Sequence, residues 1–347
     1  YTTKSNGAFF YSLQINFVIK HMEGFMDIES LYYFSELSKS LNMTHTANRL
    51  YISQQTLSNH IQRLENFYGT PLFYRKPKLS LTSAGTEVLK FADMVIINHQ
   101  NLKDTLSDMS KEERGTIRFS SSALRLSTCF SAVLPKFHER YPLVDFQITE
   151  AVTSKLVPLL TSNDLDLGII AYSDSHPEIE QKLLLNDKLY LCVSEKLLDQ
   201  FYPLTKERLK EQGIQGIEIT HFSELPFCAF KNIVWNKIRS CFDIAGIQPK
   251  IYSYSTYTPL GFQLCSQGFA ACIMTQMHLA NHLKEIPSDM NIFPIYSNGV
   301  HLPHQLAIAY SKGRYLPLYM KYLIELLLEY ASTVETVHLA HKADPLV

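Results

Sequence analysis

The chain of 347 residues lacks most of the features that would assign a function outright. No run of ~18 apolar residues occurs, so no membrane-spanning helix is expected. Cysteine is missing from the first third: Cys129, Cys192, Cys228, Cys241, Cys265 and Cys272 all come later, without a Cys-x-x-Cys and without zinc-finger spacing to histidine. Six reduced, mostly buried thiols in a cytoplasmic protein are the expectation, with no metal. Gly-x-Ser-x-Gly, a phosphate loop, a dinucleotide fingerprint and His-Glu-x-x-His are also absent, and the 13 histidines are scattered. Neither an enzyme nor a cofactor is expected. Acids such as Asp164 and Asp166 fit a turn and a strand end better than acid–base work. No internal repeat or low-complexity tract is present. An excess of positive charge is missing too: the formal net charge is −1, which excludes a polycation that coats nucleic acid along its whole surface.

The balance that remains is globular, 46% hydrophobic and 19% charged, and its charge is unevenly placed. Residues 42–90 carry Arg49, Arg63, Arg75, Lys76, Lys78 and Lys90 against only Glu65 and Glu87, a local charge of +4 beside −5 for the remainder. A small basic module joined to a larger acidic body is the pattern of a nucleic-acid binder with a second task.

Periodicity separates the same two parts. Residues 1–25 are apolar and aromatic around 8–19 but broken by Ser12, Gln14 and Asn16, and no secretory cleavage signature follows. They read as an extension outside the fold, with Met22 or Met26 as candidate starts. Residues 26–83 read as three short helices and a hairpin. Leu31, Phe34 and Leu37 mark the first helix, Thr44 to Leu50 the second with small Ala47, and Leu57, Ile61 and Leu64 the third behind the N-cap Ser53. Gly69-Thr70-Pro71 ends the last of these. Leu72-Phe73 and Leu79–Thr82 then flank a basic tip, a wing. From Ala84 to about Met109, Leu89, Val95, Leu102 and Met109 repeat at helical and heptad spacing, predicting a long amphipathic linker helix able to pair with a second copy. A polar hinge follows at 111–115. From Thr116 strands and helices alternate, predicting an α/β body with a mainly parallel sheet. Its strands are placed at 116–120, 144–149, 165–170, 190–193, 227–230, 251–255 and 270–274. One helix is expected to run on from the first of these to Arg140.

A tight turn at Tyr51-Ile52 before a helix rich in amides and hydroxyls is the outline of a helix-turn-helix. Thr44, Ser53, Gln54, Gln55, Thr56, Ser58, Asn59 and Arg63 are the candidates for base-edge and phosphate contacts, and Arg75, Lys76 and Lys78 for backbone or minor-groove contacts from the wing. His45 and His60 are expected near that surface. The residues Met26–Phe34, Thr46-Ala-Asn-Arg-Leu50, Ser53-Gln54, Leu57-Ser58, Ile61, Leu64-Glu65, Gly69, Leu72-Phe73, Arg75 and Leu81–Gly85 resemble, in that order, the N-terminal domain of LysR-type transcriptional regulators. Gln55 replaces the family's usual Pro and Thr46 the first of two usual Ala. In the body, Gly115–Phe119, Leu134-Pro135 to Pro142, Leu165–Ile169 and Gln267–Met274 continue the resemblance over roughly residues 26–330.

The resemblance implies an α/β chain with an N-terminal winged helix-turn-helix, a linker helix at 84–115 and a two-lobed periplasmic-binding-protein-like effector domain at 116–330. By chain order, lobe I takes 116–187 and 293–330, lobe II takes 188–292, and 331–347 form a tail. It also implies a double-stranded DNA operator, a small-molecule effector, a homodimer or homotetramer, and RNA polymerase as a further partner. A two-lobed solute receptor is the alternative; the basic winged module speaks against it. Strand ends near helix starts are where such sheets bind ligands. Ser121, Ser122, Arg125, Thr153 and Ser154 are therefore the candidate anion-binding residues of the first lobe, with Phe230 and Tyr257 as an apolar wall from the second. Some relatives sense peroxide through two cysteines. Cys241 falls near one of those positions but Asn232 occupies the other, so no thiol switch is expected.

Overall fold

The computed structural model describes residues 26–110, 113–172, 176–297 and 299–339; the predicted N-terminal extension lies outside them. The chain divides into two units, 1–109 and 110–347.

In the first unit, helices α1 (Ile28–Ser40), α2 (Met43–Arg49) and α3 (Gln54–Tyr68) are each opened by a short polar cap. Asn42 Oδ1 accepts from His45 N at 2.9 Å and Ser53 Oγ from Thr56 N at 3.0 Å. Each satisfies an amide that helix geometry leaves unpaired. Leu31, Phe34, Leu37, Leu57, Ile61 and Leu64 are the buried stripes of α1 and α3, and Ala47 is small enough to let α2 close on them. Gly69 ends α3 at φ +66°, the left-handed cap that a residue without Cβ adopts readily. Strands β1 (Phe73–Tyr74) and β2 (Ser80–Leu81) form the predicted wing. Helix α4 (Ser83–Ser110) follows without a break for 28 residues, about 42 Å at 1.5 Å per residue. Its first turns pack on this unit through Ala92, whereas Met94, Leu102, Leu106 and Met109 are exposed.

The second unit opens with β3 (Arg114–Ser121), a short turn of helix at Ala123–Arg125, a π turn at Leu126–Phe130 and α5 (Ser131–Arg140). The single helix expected to reach Arg140 is therefore interrupted. Thr128 Oγ1 donates to Leu124 O at 2.8 Å and Ser131 Oγ to Ser127 O at 2.7 Å, and such side chains compete for the helical carbonyls and widen the turn. Then come β4 (Leu143–Glu150), α6 (Thr153–Thr161), β5 (Leu167–Ala171) and β6 (Ile179–Ser194). Helices α7 (Glu195–Phe201) and α8 (Lys206–Gly213) lead to β7 (Ile217–Glu218), β8 (Pro226–Phe230) and α9 (Ile233–Ile244). Next are β9 (Lys250–Ser255), α10 (Thr258–Ser266), β10 (Ala271–Thr275) and α11 (Gln276–Asn281). The unit closes with β11 (Met290–Ser297), β12 (Val300–His301), β13 (Pro303–Ser311) and α12 (Leu318–Glu335).

Strand β6 is the spine of both lobes. Its first part, to Lys188, pairs antiparallel with β13, while Leu189–Ser194 lies between β10 and β11. Lobe I is ordered β4-β3-β5-β13-β6 and lobe II continues β6-β10-β8-β9. The sheet is mixed, not mainly parallel. Pairs β3–β4, β3–β5, β8–β9 and β8–β10 are parallel, but the strands that cross between lobes run antiparallel to their neighbours. The outward crossing falls at 188–189. The return falls at Leu302-Pro303, ten residues later than expected, because β11 stays in lobe II on β6. The expected tail at 331 is also corrected. Ala331 and Val334 of α12 are buried, and Gln276 Nε2 donates to the carbonyls of Val334 and Val337 at 3.0 Å each.

Candidate functional site

Most of the DNA-directed candidates are exposed on the first unit. Burying Leu57, Ile61 and Leu64 turns Gln54, Gln55, Thr56, Asn59 and Arg63 outward, with Ser58 half-buried between them. Gln55 Nε2 donates to Asn59 Oδ1 at 2.9 Å, and Thr44 Oγ1 donates to Gln54 Oε1 at 3.3 Å, so hydrogen bonds hold the amides in place and tie α2 to α3. The cations divide into two classes. Arg49 pairs with Glu36, Arg63 with Asp27 at 2.8 Å, Lys90 with Glu87 at 2.8 Å and Arg75 with Glu65 at 3.1 Å. Lys76 and Lys78, at the exposed wing tip, have no ion-pair partner among the described residues. Buried Glu65 also accepts from the wing amides of Leu72 (2.9 Å) and Phe73 (3.4 Å), and so fastens the wing to α3. His60 is a correction. It is buried, its Nδ1 lies 2.8 Å from Ser30 Oγ, and its ring meets Tyr33 edge-on at 4.7 Å, so it belongs to the core. Tyr51, read from the sequence only as a turn marker, is 96% exposed at φ +56° in the turn before α3.

In the second unit the candidate effector residues separate. Ser121 is fully buried and donates to the Ile169 carbonyl at 2.9 Å, while neighbouring Ser120 donates to Thr149 O. Both staple β3 to adjacent strands, so Ser121 offers its hydroxyl to no ligand. Ser122 is half-exposed, and its side chain makes no capping bond. Arg125 Nη1 donates to the same Ile169 carbonyl at 3.2 Å. Val152, not Thr153, caps α6. The Thr153 hydroxyl accepts from Ala171 N at 3.1 Å and retains its own proton to donate, and Ser154 is exposed. Phe230 is a second correction: it is buried against Gly261, where a Cβ would sit 2.2 Å from its ring, and forms no exposed wall. Tyr257 is 64% exposed.

The lobe crossover adds residues that the sequence did not reveal. Asp187 on β6 and His304 on β13 are cross-strand partners and both are buried. Burial raises the Asp187 carboxyl to about 7, against the pull of the Met277 amide at 3.0 Å, Thr275 and Arg125. Burial, with Arg125 and Lys237 nearby, depresses His304 to about 3. Residues 187 and 304 meet only through strand register, so no local motif could have joined them. Asn232, opposite the family's cysteine position, caps α9 by accepting from Trp235 N at 2.9 Å. Cys192, Cys228, Cys265 and Cys272 lie in one core cluster of lobe II.

Comparison with known proteins decides the family. Residues 28–86 match the bacterial regulatory helix-turn-helix protein, lysR family, and residues 110–332 match the LysR substrate binding domain. The chain belongs to the LysR family. This LysR-type chain is 26% identical to the Hca operon transcriptional activator HcaR of Escherichia coli over 296 residues, 84% of this chain and 94% of that one. It is 27% identical to the HTH-type transcriptional regulator YkuM of Bacillus subtilis over 210 residues, 60% of this chain and 64% of the relative, so the match spans less than two thirds of that protein. Its fold is similar to full-length OxyR of Pseudomonas aeruginosa, with a TM-score of 0.65 over 93% of this chain and 99% of that one at 17% identity. The LysR-type chain is a DNA-binding transcriptional regulator, and no described helix is long and apolar enough to cross a membrane.

Proposed function

We propose that this LysR-type regulator reads an operator with Gln54, Gln55 and Asn59, steadies itself on phosphates with Lys76 and Lys78, and answers to a small organic anion held between its lobes. The arrangement of α3 carries the reading: a capped helix whose amides are held by neighbours and whose first turns expose only polar side chains, followed by two wing lysines with no ion-pair partner among the described residues. Amides oriented in this way suit paired bonds to adenine edges in the major groove. The effector reading rests on Ser122, Thr153, Ser154 and Arg125 lying at strand ends of lobe I, where hydroxyls and a guanidinium favour a carboxylate. Two copies joined through α4 would present two recognition helices to half-sites one DNA turn apart, ~34 Å, or a multiple of it.

The test is anisotropy titration of a labelled duplex from the DNA beside the gene. The Gln54→Ala/Asn59→Ala variant should lose ~1–3 kcal/mol per readout contact and tolerate base changes at the contacted pairs. Unchanged affinity and unchanged specificity would remove α3 from the reading role.

A further inference from the structure

Among the described residues, the chain passes between the lobes of the second unit twice within the sheet, at 188–189 along β6 and at Leu302-Pro303. The two connections lie side by side, with Pro303 opposite Lys188. Two adjacent strands of this kind make a hinge about which the lobes can turn. A third link lies outside the sheet, at the end of α12. The body of that helix belongs to lobe I, where Met320, Leu323, Leu327, Ala331 and Val334 are buried in the core. Its last turn and the residues after it reach across to lobe II. Gln276, 1% exposed where β10 of lobe II runs into α11, donates from Nε2 to the carbonyls of Val334 and Val337 at 3.0 Å each. A helix end leaves its last carbonyls unpaired, so an amide carried on the lobe II sheet closes a helix of lobe I. Gln276 Oε1 is buried with no hydrogen-bond partner among the described residues, so this amide is held by its donor side alone. Glu335 accepts from the Asn186 amide at 3.0 Å, just ahead of the outward crossing. Leu339, half-buried, packs against the lobe II cluster that holds Phe262, Cys265 and Met290. The match to the LysR substrate binding domain ends at residue 332, and Val334, Glu335, Val337 and Leu339 all lie beyond it.

We infer that residues 333–339 are a strap, anchored in lobe I by α12, that holds lobe II against turning about the two strand connections. A tie from the helix layer opposes such a rotation because it does not lie on the pair of strands that forms the hinge. Its own contacts are few: one side-chain amide, one carboxylate and one half-buried leucine. Helix α12 is seated by a whole apolar face. The strap can therefore let go while the helix stays in place. Engaged, it favours one arrangement of the lobes; released, it admits others, since local opening of a weakly held segment costs far less than unfolding the unit. This control acts within the chain. It does not rest on the effector reading, because the strap works in the same way whatever the lobes bind.

Amide hydrogen exchange of the full chain, read by mass spectrometry without ligand, tests it. Leu339→Asp should speed exchange at 186–189 and 302–304 by roughly fivefold, the change expected from giving up the partial burial of one leucine. Strand segments 117–119 of lobe I and 227–229 of lobe II should exchange as in the parent. Ser332→Ala is the control: Ser332 is exposed and donates to Glu329 O of its own helix at 2.7 Å, and its loss should change nothing at the crossover. Faster exchange confined to 333–339, with 186–189 and 302–304 unchanged, makes the segment a loose end and overturns the strap. If Leu339→Asp loses protection throughout the unit, the milder Leu339→Ala decides by the same pattern. Acceleration at the crossover ahead of both lobe strands supports the strap. Uniform acceleration, or none at the crossover, overturns it.

Discussion

Lys76 and Lys78 have no salt-bridge partner among the described residues, unlike Arg49, Arg63, Arg75 and Lys90. Arg75, one residue earlier, is held 3.1 Å from Glu65. On the proposed reading, neutralising Lys76 removes a phosphate contact, whereas neutralising Arg75 first loosens the wing. Lys76→Ala should therefore weaken all duplexes alike and reduce the salt dependence by about one counter-ion, ~0.9 in the logarithmic slope, measured by anisotropy at several salt concentrations. An unaltered slope would take Lys76 off the DNA. Burial matters at the same scale in His278, whose two ring nitrogens have no hydrogen-bond partner and whose ring stacks on His282 at 4.4 Å. Burial first, and His282 second, lower it from 6.5 to about 4. The unfolded chain then takes up this proton below about 6.5 while the folded chain resists until about 4, so stability falls as pH drops through that window. His278→Leu removes the term. In melting curves from neutral pH downward the variant should gain on the parent steadily, and parallel curves would reject the assignment.

The elements differ in how much of them local sequence carried. The caps, the buried stripes of α1 and α3 and the basic wing were legible because each is set by neighbours within a few residues: Ser53 lies three positions from the amide it caps. Strand β6 was seen only at 190–193. Asn186, Asp187 and Lys188 interrupt its apolar pattern, and Leu189 onward looks like a separate strand until both flanks are known. Strand β13 went unplaced for a related reason, since His304 and Gln305 open it with polar residues that only the lobe crossover accommodates. Ser121 misled because a strand-end hydroxyl reads the same whether it faces a ligand or the Ile169 carbonyl. Helix α4 has the reverse property: its apolar stripe was plain, and half of it remains uncovered within one chain. Met94, Leu102, Leu106 and Met109 are all more than 50% exposed, which a lone helix has no reason to keep. Leu102→Glu should leave the melting temperature of the first unit almost unchanged, within about 0.5 kcal/mol, as exposed substitutions do. It should nevertheless convert dimers to monomers in light scattering at micromolar concentration. A parent that is itself monomeric there, or a variant that stays dimeric, would show that the stripe is not the pairing surface.

The chain divides into two units, 1–109 and 110–347, each with its own hydrophobic core, and the proposed reading puts DNA binding in the first and effector binding in the second. Strand β6 runs through both lobes and the chain returns at Leu302-Pro303, so any rearrangement between them must pass along these two connections, beside the cross-strand pair Asp187 and His304. A ligand alters such a balance only through the difference in its affinity for the two arrangements. Changes at the ligand edge should therefore alter the response without altering the ligand-free state. Ser154 is the sharpest place to separate the two. It is exposed, whereas Thr153 accepts from the Ala171 amide at 3.1 Å, and its loss would leave that amide unpaired at a cost of ~1–3 kcal/mol. Ser154→Ala should bind the operator duplex as tightly as the parent in the absence of ligand and melt at the same temperature. With a stabilising acid found by thermal shift, its dose–response curve for operator binding should move to higher concentration. Thr153→Ser, which keeps the hydroxyl, should follow the parent in both assays. If Ser154→Ala instead weakens ligand-free operator binding, the units are not energetically independent, and the division of labour between them is wrong.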